Sequence, residues 1–336
     1  APKTKFTEYE SSWPSFGLNE ENNIVINRPT PRTKDETALY WATKVVEVSN
    51  IGGESSYSKN PVGVPILIND YLYTYAKNKI FKIDKMSGEI LETGTMSGGT
   101  STFAICSLAY GEGLIFVGLN GGTVQAFNAE TLESVWVYHD SLGGQPNGQL
   151  TYNDGYLYTG FWEGEGAYAN YACMSVTDED PDKTNEEKAA TWTHKQIGGF
   201  YWAGAYIDDN FVYIGTDDGS GEGTSTETHF ISLDKHTGKI VDDVILPGGG
   251  DIRSSVTCYE GKLYFTSKGG YFYEAEFDEK TGDIGEIRFI KLENGSNMPA
   301  MSTSTPTIYN GRAYIGVSGS NQFGQYAGHS ITVIDL

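Results

Sequence analysis

Short runs in which apolar and aromatic residues alternate with polar ones recur along most of the chain. Six of them share a central aromatic: YLYTY (Tyr73), LIFVG (Phe116), YLYTG (Tyr158), FVYIG (Tyr213), KLYFT (Tyr264) and RAYIG (Tyr314), spaced 42 to 55 residues apart. Short runs rich in aromatic and β-branched residues, bounded by turn formers, predict strands rather than helices. Three residues before each aromatic stands Asp70, Gly113, Gly155, Asn210, Gly261 or Gly311, residue types that accept the positive φ of a tight hairpin. A second short run lies upstream of each turn, from VGVPILIND to TSTPTIYNG, so every repeat opens with a hairpin. Downstream, a third run ends in Asp/Asn-x-x-Thr/Ser-Gly or a close variant, as in FKIDKMSGE, QAFNAETLE, ISLDKHTGK and AEFDEKTGD. There a carboxylate or amide caps the turn's N–H groups and Gly takes the left-handed position. A fourth run follows, clearest in SVWVY (Trp136) and ATWTH (Trp192). Four antiparallel strands repeated about six times predict an all-β fold, a single β-propeller of about six four-stranded blades.

The repeat resembles the pyrroloquinoline quinone-type, quinoprotein-like propeller repeat, whose pattern is A-x-D-x-x-T-G-x-x-x-W. That family includes quinoprotein dehydrogenases and the outer-membrane barrel-assembly lipoprotein. Ala126, Asn128, Thr131 and Trp136 match four of its five positions, with Leu132 in place of Gly. Asp84, Ser87 and Gly88 carry the turn in the first repeat, Asp234, Thr237 and Gly238 in the fourth, and Asp278, Thr281 and Gly282 in the fifth; Glu92, Asp242 and Glu286 replace their Trp. The resemblance implies that each remaining Trp docks a neighbouring blade. In the dehydrogenases it also implies a quinone stacked between a Trp and an adjacent-Cys disulfide, beside a Ca²⁺ held by Glu, Asn and Asp. This chain has no adjacent Cys pair, six predicted blades where those enzymes have eight, and only Arg253 as a quinone anchor. Architecture is therefore expected to carry over, and pyrroloquinoline quinone is not.

The two ends are expected to complement each other. The last repeat stops after its third strand at ITVIDL, while ALYWATKVVEV holds a Trp strand with no hairpin before it. Residues 38–48 are expected to complete the last blade as its fourth strand, which removes an open edge. SSWPSFGLNEENN resembles the family's lead-in and is expected to wrap an outer edge. The division is then residues 1–37 as an N-terminal lead-in wrapping the propeller and 38–336 as one propeller domain.

Charge narrows the partners. With 44 acidic against 23 basic residues the formal charge is −21, which repels nucleic acid phosphates and anionic lipid heads. No apolar run is long enough to cross a membrane as a helix, and APKTKFTEYE has no apolar signal core. The 23 Tyr and 42 Gly suit strands and tight turns, a composition similar to that of secreted bacterial surface proteins. An extracellular or cell-surface location is expected, with the export signal absent from this chain. Cys106, Cys173 and Cys258 each lie in an apolar run without metal-ligand spacing, so inert buried thiols are expected.

Long loops concentrate on one face. FWEGEGAYANY, TDDGSGEGTSTETH and VSGSNQFGQYAGHS fall between second and third strands, and GGFYWAG, PGGGDIRSS and NGSNMPAMS are blade-to-blade connections on the same side. Exposed aromatics beside polar loops on a rigid scaffold are material for a ligand site. The candidates are Phe161, Trp162, Glu163, Tyr168, Tyr171, Tyr201, Trp202, Asp251 and Arg253; the alternative is that these aromatics only pin their own loops. Asp217, Asp218 and Glu222 offer hard oxygen ligands for Ca²⁺, against which stands an ordinary acidic turn. DKTNEEKAA, with Thr184 and Glu187 at capping-box spacing, reads as one solvated helical turn. Five scattered His and no Gly-x-Ser-x-Gly elbow leave no catalytic residue to name. The sequence thus predicts a non-catalytic, extracellular propeller domain of a bacterial cell-surface protein. It would be a monomer binding a protein, peptide or glycan on the long-loop face, with no cofactor expected. A Ca²⁺-dependent quinoprotein-derived enzyme and a structural spacer are the alternatives.

Overall fold

The structure is a computed structural model that describes residues 12–27, 30–45, 62–99, 108–146, 148–219, 227–295, 299–319 and 329–336. Among them six antiparallel blades follow one another, no α-helix occurs, and a 3-10 turn spans Lys34–Glu36. Blade one comprises Ile66–Ile68, Tyr71–Ala76, Lys79–Asp84 and Ile90–Thr95; blade two, Leu108–Gly111, Leu114–Leu119, Thr123–Asn128 and Ser134–His139. Blade three is built from Thr151–Asn153, Tyr156–Gly160, Tyr168–Ser175 and Trp192–Ile197, and blade four from Tyr206–Ile207, Phe211–Gly215, His229–Asp234 and Ile240–Ile245. Thr257–Tyr259, Lys262–Ser267, Tyr271–Phe277 and Ile284–Lys291 make blade five. Blade six has Thr307–Tyr309, Arg312–Gly319 and His329–Asp335, plus the short Ala300–Met301. In blades one to five each strand pairs with the next in sequence, so the blades are meanders.

Four of the six hairpin turns form as the sequence predicts; at the first, positive φ falls on Asn69 (53°) instead of Asp70, and at the fourth Asn210 does not adopt it. Glu112–Gly113, Asp154–Gly155, Glu260–Gly261 and Asn310–Gly311 all have positive φ at both residues, the backbone of a two-residue hairpin that matches strand twist. At the later turn, Asp84 Oδ1 accepts from the N–H groups of Met86 (2.9 Å) and Ser87 (2.7 Å) and from the Ser87 hydroxyl (2.9 Å). Asn128, Asp234 and Asp278 cap their turns the same way. Leu132, standing where Gly is usual, takes the left-handed conformation with φ 54°.

The Ser87 N–H and hydroxyl hold the Asp84 carboxyl below the usual carboxylate range. A carboxylate lowered on folding contributes stability above its unfolded value, and that contribution is lost as pH falls through the folded value. Because an amide already serves in blade two, Asp84→Asn is expected to change neutral-pH stability little while flattening the acid limb. Thermal melts from roughly pH 5 to pH 2 would check this.

Neighbouring blades pack face to face. Phe116 and Trp136 of blade two meet Leu157 and Met174 of blade three, and Phe230 stacks on Phe265 across blades four and five at 4.4 Å. Fully burying a large apolar side chain of this kind contributes roughly 1.5–3 kcal/mol. The Trp residues dock as the resemblance implies: Trp136 Nε1 donates to Val176 O (3.3 Å) and Trp192 Nε1 to Lys235 O (2.8 Å), each on the next blade. Cys173 and Cys258 lie in these cores, where burial pushes their thiols up to about 12 and about 11; Cys106 lies outside the described residues.

Three expectations meet the structure differently. Trp41 Nε1 donates to Lys85 O (3.0 Å) and packs with Val45 on Phe81, Ile83 and Ile90 of blade one. That is the docking expected of a fourth-strand Trp from the blade preceding blade one. However, residues 38–45 form no strand, no pairing between them and His329–Asp335 occurs among the described residues, and 46–48 lie outside these.

The lead-in does not wrap an outer edge. Trp13 bridges Leu67 and Ser15 bridges Ala109. Asn22 Nδ2 donates to Ala205 O (2.8 Å) and Val256 O (3.0 Å), and Asn23 Nδ2 to Ile308 O (3.1 Å). Residues 13–23 therefore cross the first strands, which lie nearest the axis, because amides on this segment satisfy backbone groups those short strands leave open.

Residues 184–188 are not a helical turn. Glu186–Lys188 pairs in parallel with Ser134–His139 as a fifth strand on blade two, since an open edge offers a hydrogen-bond ladder that one isolated helical turn cannot match.

Candidate functional site

Antiparallel meanders place second-to-third-strand loops and blade-to-blade connections on one face. Around the mouth there, blades three to five interlock through backbone bonds: Phe200 N–H to Phe161 O (3.0 Å), Asp217 N–H to Gly199 O (3.0 Å), Ile252 N–H to Thr216 O (3.1 Å) and Lys268 N–H to Asp251 O (2.9 Å). Gly199, at φ 69°, passes so close to Phe161 O that a Cβ would lie 2.6 Å from it, so this crossing needs glycine.

Where these loops of blades three to five meet lies an ionic cluster. Arg253 is buried; its Nε donates to Asp217 Oδ1 (3.2 Å) and Oδ2 (3.1 Å), and its Nη2 to Asp217 Oδ2 (2.6 Å). Nη2 also reaches Glu165 Oε1 and Oε2 (3.1 and 3.0 Å) and Asp251 Oδ2 (3.0 Å). Lys268 Nζ donates to the same Asp251 oxygen (2.6 Å). Burial opposes charge on Arg253, but Asp217 and Asp251 outweigh it and hold the guanidinium above its usual value. Burial likewise pushes Asp217 up while Arg253 pulls it back; the two-pronged contact is that of an ionised pair. Three carboxylates face two cations, so one negative charge is in surplus.

Three aromatics cover this cluster. The Arg253 guanidinium lies 4.4 Å from the Tyr201 ring centroid, and Tyr201 meets Trp162 at 4.7 Å and Trp202 at 4.5 Å. Both indoles are half-buried, and Tyr201 beneath them is buried. Trp202 has φ 59°, a conformation costly for a bulky side chain and concentrated where a binding site over-determines the backbone. Trp162 Nε1 is shielded from solvent and has no hydrogen-bond partner among the described residues.

The sequence-predicted residues thus divide. Trp162, Tyr201, Trp202, Asp251 and Arg253 come together. Glu163 is exposed on the same loop as Trp162, and Tyr168 stands at the rim, 52% exposed, under Lys195 at 4.4 Å. Phe161 and Tyr171 do not belong to a ligand surface: both are fully buried, Phe161 beside Tyr138 and Tyr171 between Trp192 and Phe200. Their strand-like alternation points them into the blade interfaces. Glu165 and Lys268 were missed; a lone Glu between glycines and a lone Lys before two glycines carry no signal until the loops are brought together.

Of the three proposed Ca²⁺ ligands two are described. Asp217 faces Arg253, the Asp218 N–H donates to Asp251 Oδ1 (3.2 Å), and Glu222 lies outside the described residues. Ligand oxygens of Glu165, Asp217 and Asp251 do lie within 4.8 Å of one another, but the Arg253 guanidinium bonds to all three. A divalent ion held by these three carboxylates would sit against that guanidinium.

Residues 38–181 match the family described as Outer membrane protein assembly factor BamB. No curated protein sequence matches the chain. Among solved structures, BamB from Moraxella catarrhalis superposes with a TM-score of 0.52 at 16% identity, over 80% of this chain and 75% of its own. Quinohemoprotein alcohol dehydrogenase ADHIIG from Pseudomonas putida HK5 gives 0.63 at 16% identity over 92% and 57%, respectively. The enzyme from Comamonas testosteroni gives 0.65 at 15% over 92% and 58%. The chain therefore spans a little over half the length of these two dehydrogenases. At such identities the likeness is one of fold: a pyrroloquinoline quinone-type β-propeller resembling that of BamB, an architecture shared by scaffolds and enzymes alike.

Proposed function

We propose that this propeller is a non-catalytic binding domain of a bacterial cell-surface protein, and that it takes a protein, peptide or glycan on its long-loop face. The observation that carries the reading is the Trp162–Tyr201–Trp202 stack, held over a buried Arg and strained at Trp202. Two half-buried indoles offer flat apolar area at low side-chain entropy cost. The name of the matched family, an outer membrane assembly factor, supports a location in the cell envelope or at the surface. Against a quinone enzyme stands the saturated carboxylate cluster, in which Arg253 takes the position that a metal would need. A monomer acting without a cofactor is the simplest form consistent with this reading.

Glycan and peptide arrays probed with the whole chain, with and without chelator, test it. Trp162→Ala combined with Trp202→Ala is expected to weaken the bound ligand at least about tenfold, while the melting curve moves little because both side chains are only half-buried. A double variant that binds every array hit as the parent does would remove the site.

A further inference from the structure

The loop carrying Glu165 is held mainly at its ends. Trp162 forms a bridge with Gln145, and the Gly198 N–H donates to Ala167 O at 2.7 Å. Between these anchors the one internal backbone bond among the described residues runs from the Ala167 N–H to Gly164 O (3.1 Å). Glu165 lays both carboxylate oxygens on Arg253 Nη2, yet its side chain remains 29% exposed. Arg253 does not need it for charge balance, because Asp217 and Asp251 already flank the guanidinium and both are fully buried. Glu165 is the surplus carboxylate, and it sits on a loop held mainly at its ends. Beside it two donors stand idle among the described residues: Trp162 Nε1 has no partner, and Arg253 Nη1 takes part in none of the cluster's bonds.

We infer that Glu165 stands in for the carboxylate of a ligand, and that the site takes an acidic glycan whose uronate-type carboxylate replaces Glu165 on Arg253 while a sugar ring covers Trp162. This rests on the reading of the long-loop face as a ligand face. The exchange is neutral for the cluster, since one carboxylate leaves Arg253 as another arrives. A pyranose presents a flat face of C–H groups to an indole and hydroxyls to Arg253 Nη1. An acidic peptide side chain supplies the carboxylate but not the flat ring, which favours the glycan. The chain's charge of −21 repels an acid at long range; salt screens that repulsion more than it screens the buried contact. Association is therefore expected to quicken with moderate salt.

Titration of sodium glucuronate, glucose and a polyglutamate peptide, followed by Trp fluorescence, tests this with the whole chain. Glu165→Gln removes the competing carboxylate and leaves Arg253 paired with Asp217 and Asp251. Glucuronate affinity is expected to rise about tenfold in Glu165→Gln, glucose to bind more weakly than glucuronate in both proteins, and Trp162→Ala to abolish the signal. Unchanged or weaker glucuronate binding in Glu165→Gln overturns the inference, as does glucose binding as tightly as glucuronate, tighter binding of polyglutamate, or no binding of glucuronate at all. Trp162→Ala separates the two levels. If it abolishes binding of some probe that Glu165→Gln does not affect, the ligand face stands and the acid exchange falls; if no bound probe responds to it, both fall.

Discussion

Arg253→Ala is expected to destabilise the protein by about 3–5 kcal/mol, the range found when one partner of a buried ion pair is removed. The reason is geometric. Asp217 and Asp251 have side chains with no solvent exposure, and after the substitution only Lys268 remains, bonded to Asp251. Asp217 would be left as an uncompensated buried charge in a site where burial already pushes its carboxyl well above the usual range. The sign of the pH dependence follows. A carboxyl raised on folding contributes stability at low pH that is lost as pH rises above its unfolded value. The deficit of Arg253→Ala is therefore expected to be smaller at about pH 5 than at about pH 8, as the orphaned Asp217 takes up a proton. Adding Asp217→Asn should recover part of the loss at neutral pH. Denaturant midpoints for the three proteins at the two pH values decide the matter. A loss below about 1 kcal/mol, the size of an exposed pair, would mean that water reaches the cluster.

That cluster shows how far the sequence could be read. The hairpins were legible because their signal is local: Glu112–Gly113 and Asn310–Gly311 need positive φ at adjacent residues, and the sequence spells out residues that allow it. The Asp84 and Asn128 turns were legible for the same reason, each bond spanning two or three positions. Trp136 and Trp192 dock as expected because the repeat fixes their register against the next blade. Even the convergence of Trp162 and Trp202 followed from counting which loops share a face. What alternation could not show is depth. Phe161 and Tyr171 belong to a loop-rich stretch whose aromatic content reads as rim, yet both face blade interfaces. Arg253 reads as one more candidate on the long-loop face, and only the approach of Asp217, Asp251 and Glu165 makes it a buried hub. Nor does a run of acidic residues show direction: Asp217 turns to Arg253, while the Asp218 backbone N–H meets Asp251.

The lead-in was the least legible part, and the second large effect is expected there. Asn22→Ala is predicted to cost about 2–4 kcal/mol, because its side chain serves three partners at once and an unsatisfied buried polar group costs on the order of 1–3 kcal/mol. Its Nδ2 bonds to the carbonyls of Ala205 and Val256, at the inner strands of blades four and five, and its Oδ1 accepts from Gln149 Nε2 at 2.9 Å. Gln149 in turn accepts from the Ser255 hydroxyl at 2.7 Å, so one amide helps fix the inner edges of three blades. These partners lie 127 to 234 residues away in sequence, and the SSWPSFGLNEENN stretch shows no alternation that would announce them. Asn22→Asp separates a polar role from a packing one. It preserves shape but turns an oxygen towards two carbonyls in a position that is 2% exposed. Its loss should therefore equal or exceed that of Asn22→Ala at neutral pH and shrink as the carboxyl protonates. If the Asn22→Asp variant were tolerated while Asn22→Ala were not, the segment would act by filling the axis rather than by bonding to it. If neither variant shifted the denaturant midpoint, the lead-in would be a passenger and the six blades would hold together through their own faces alone.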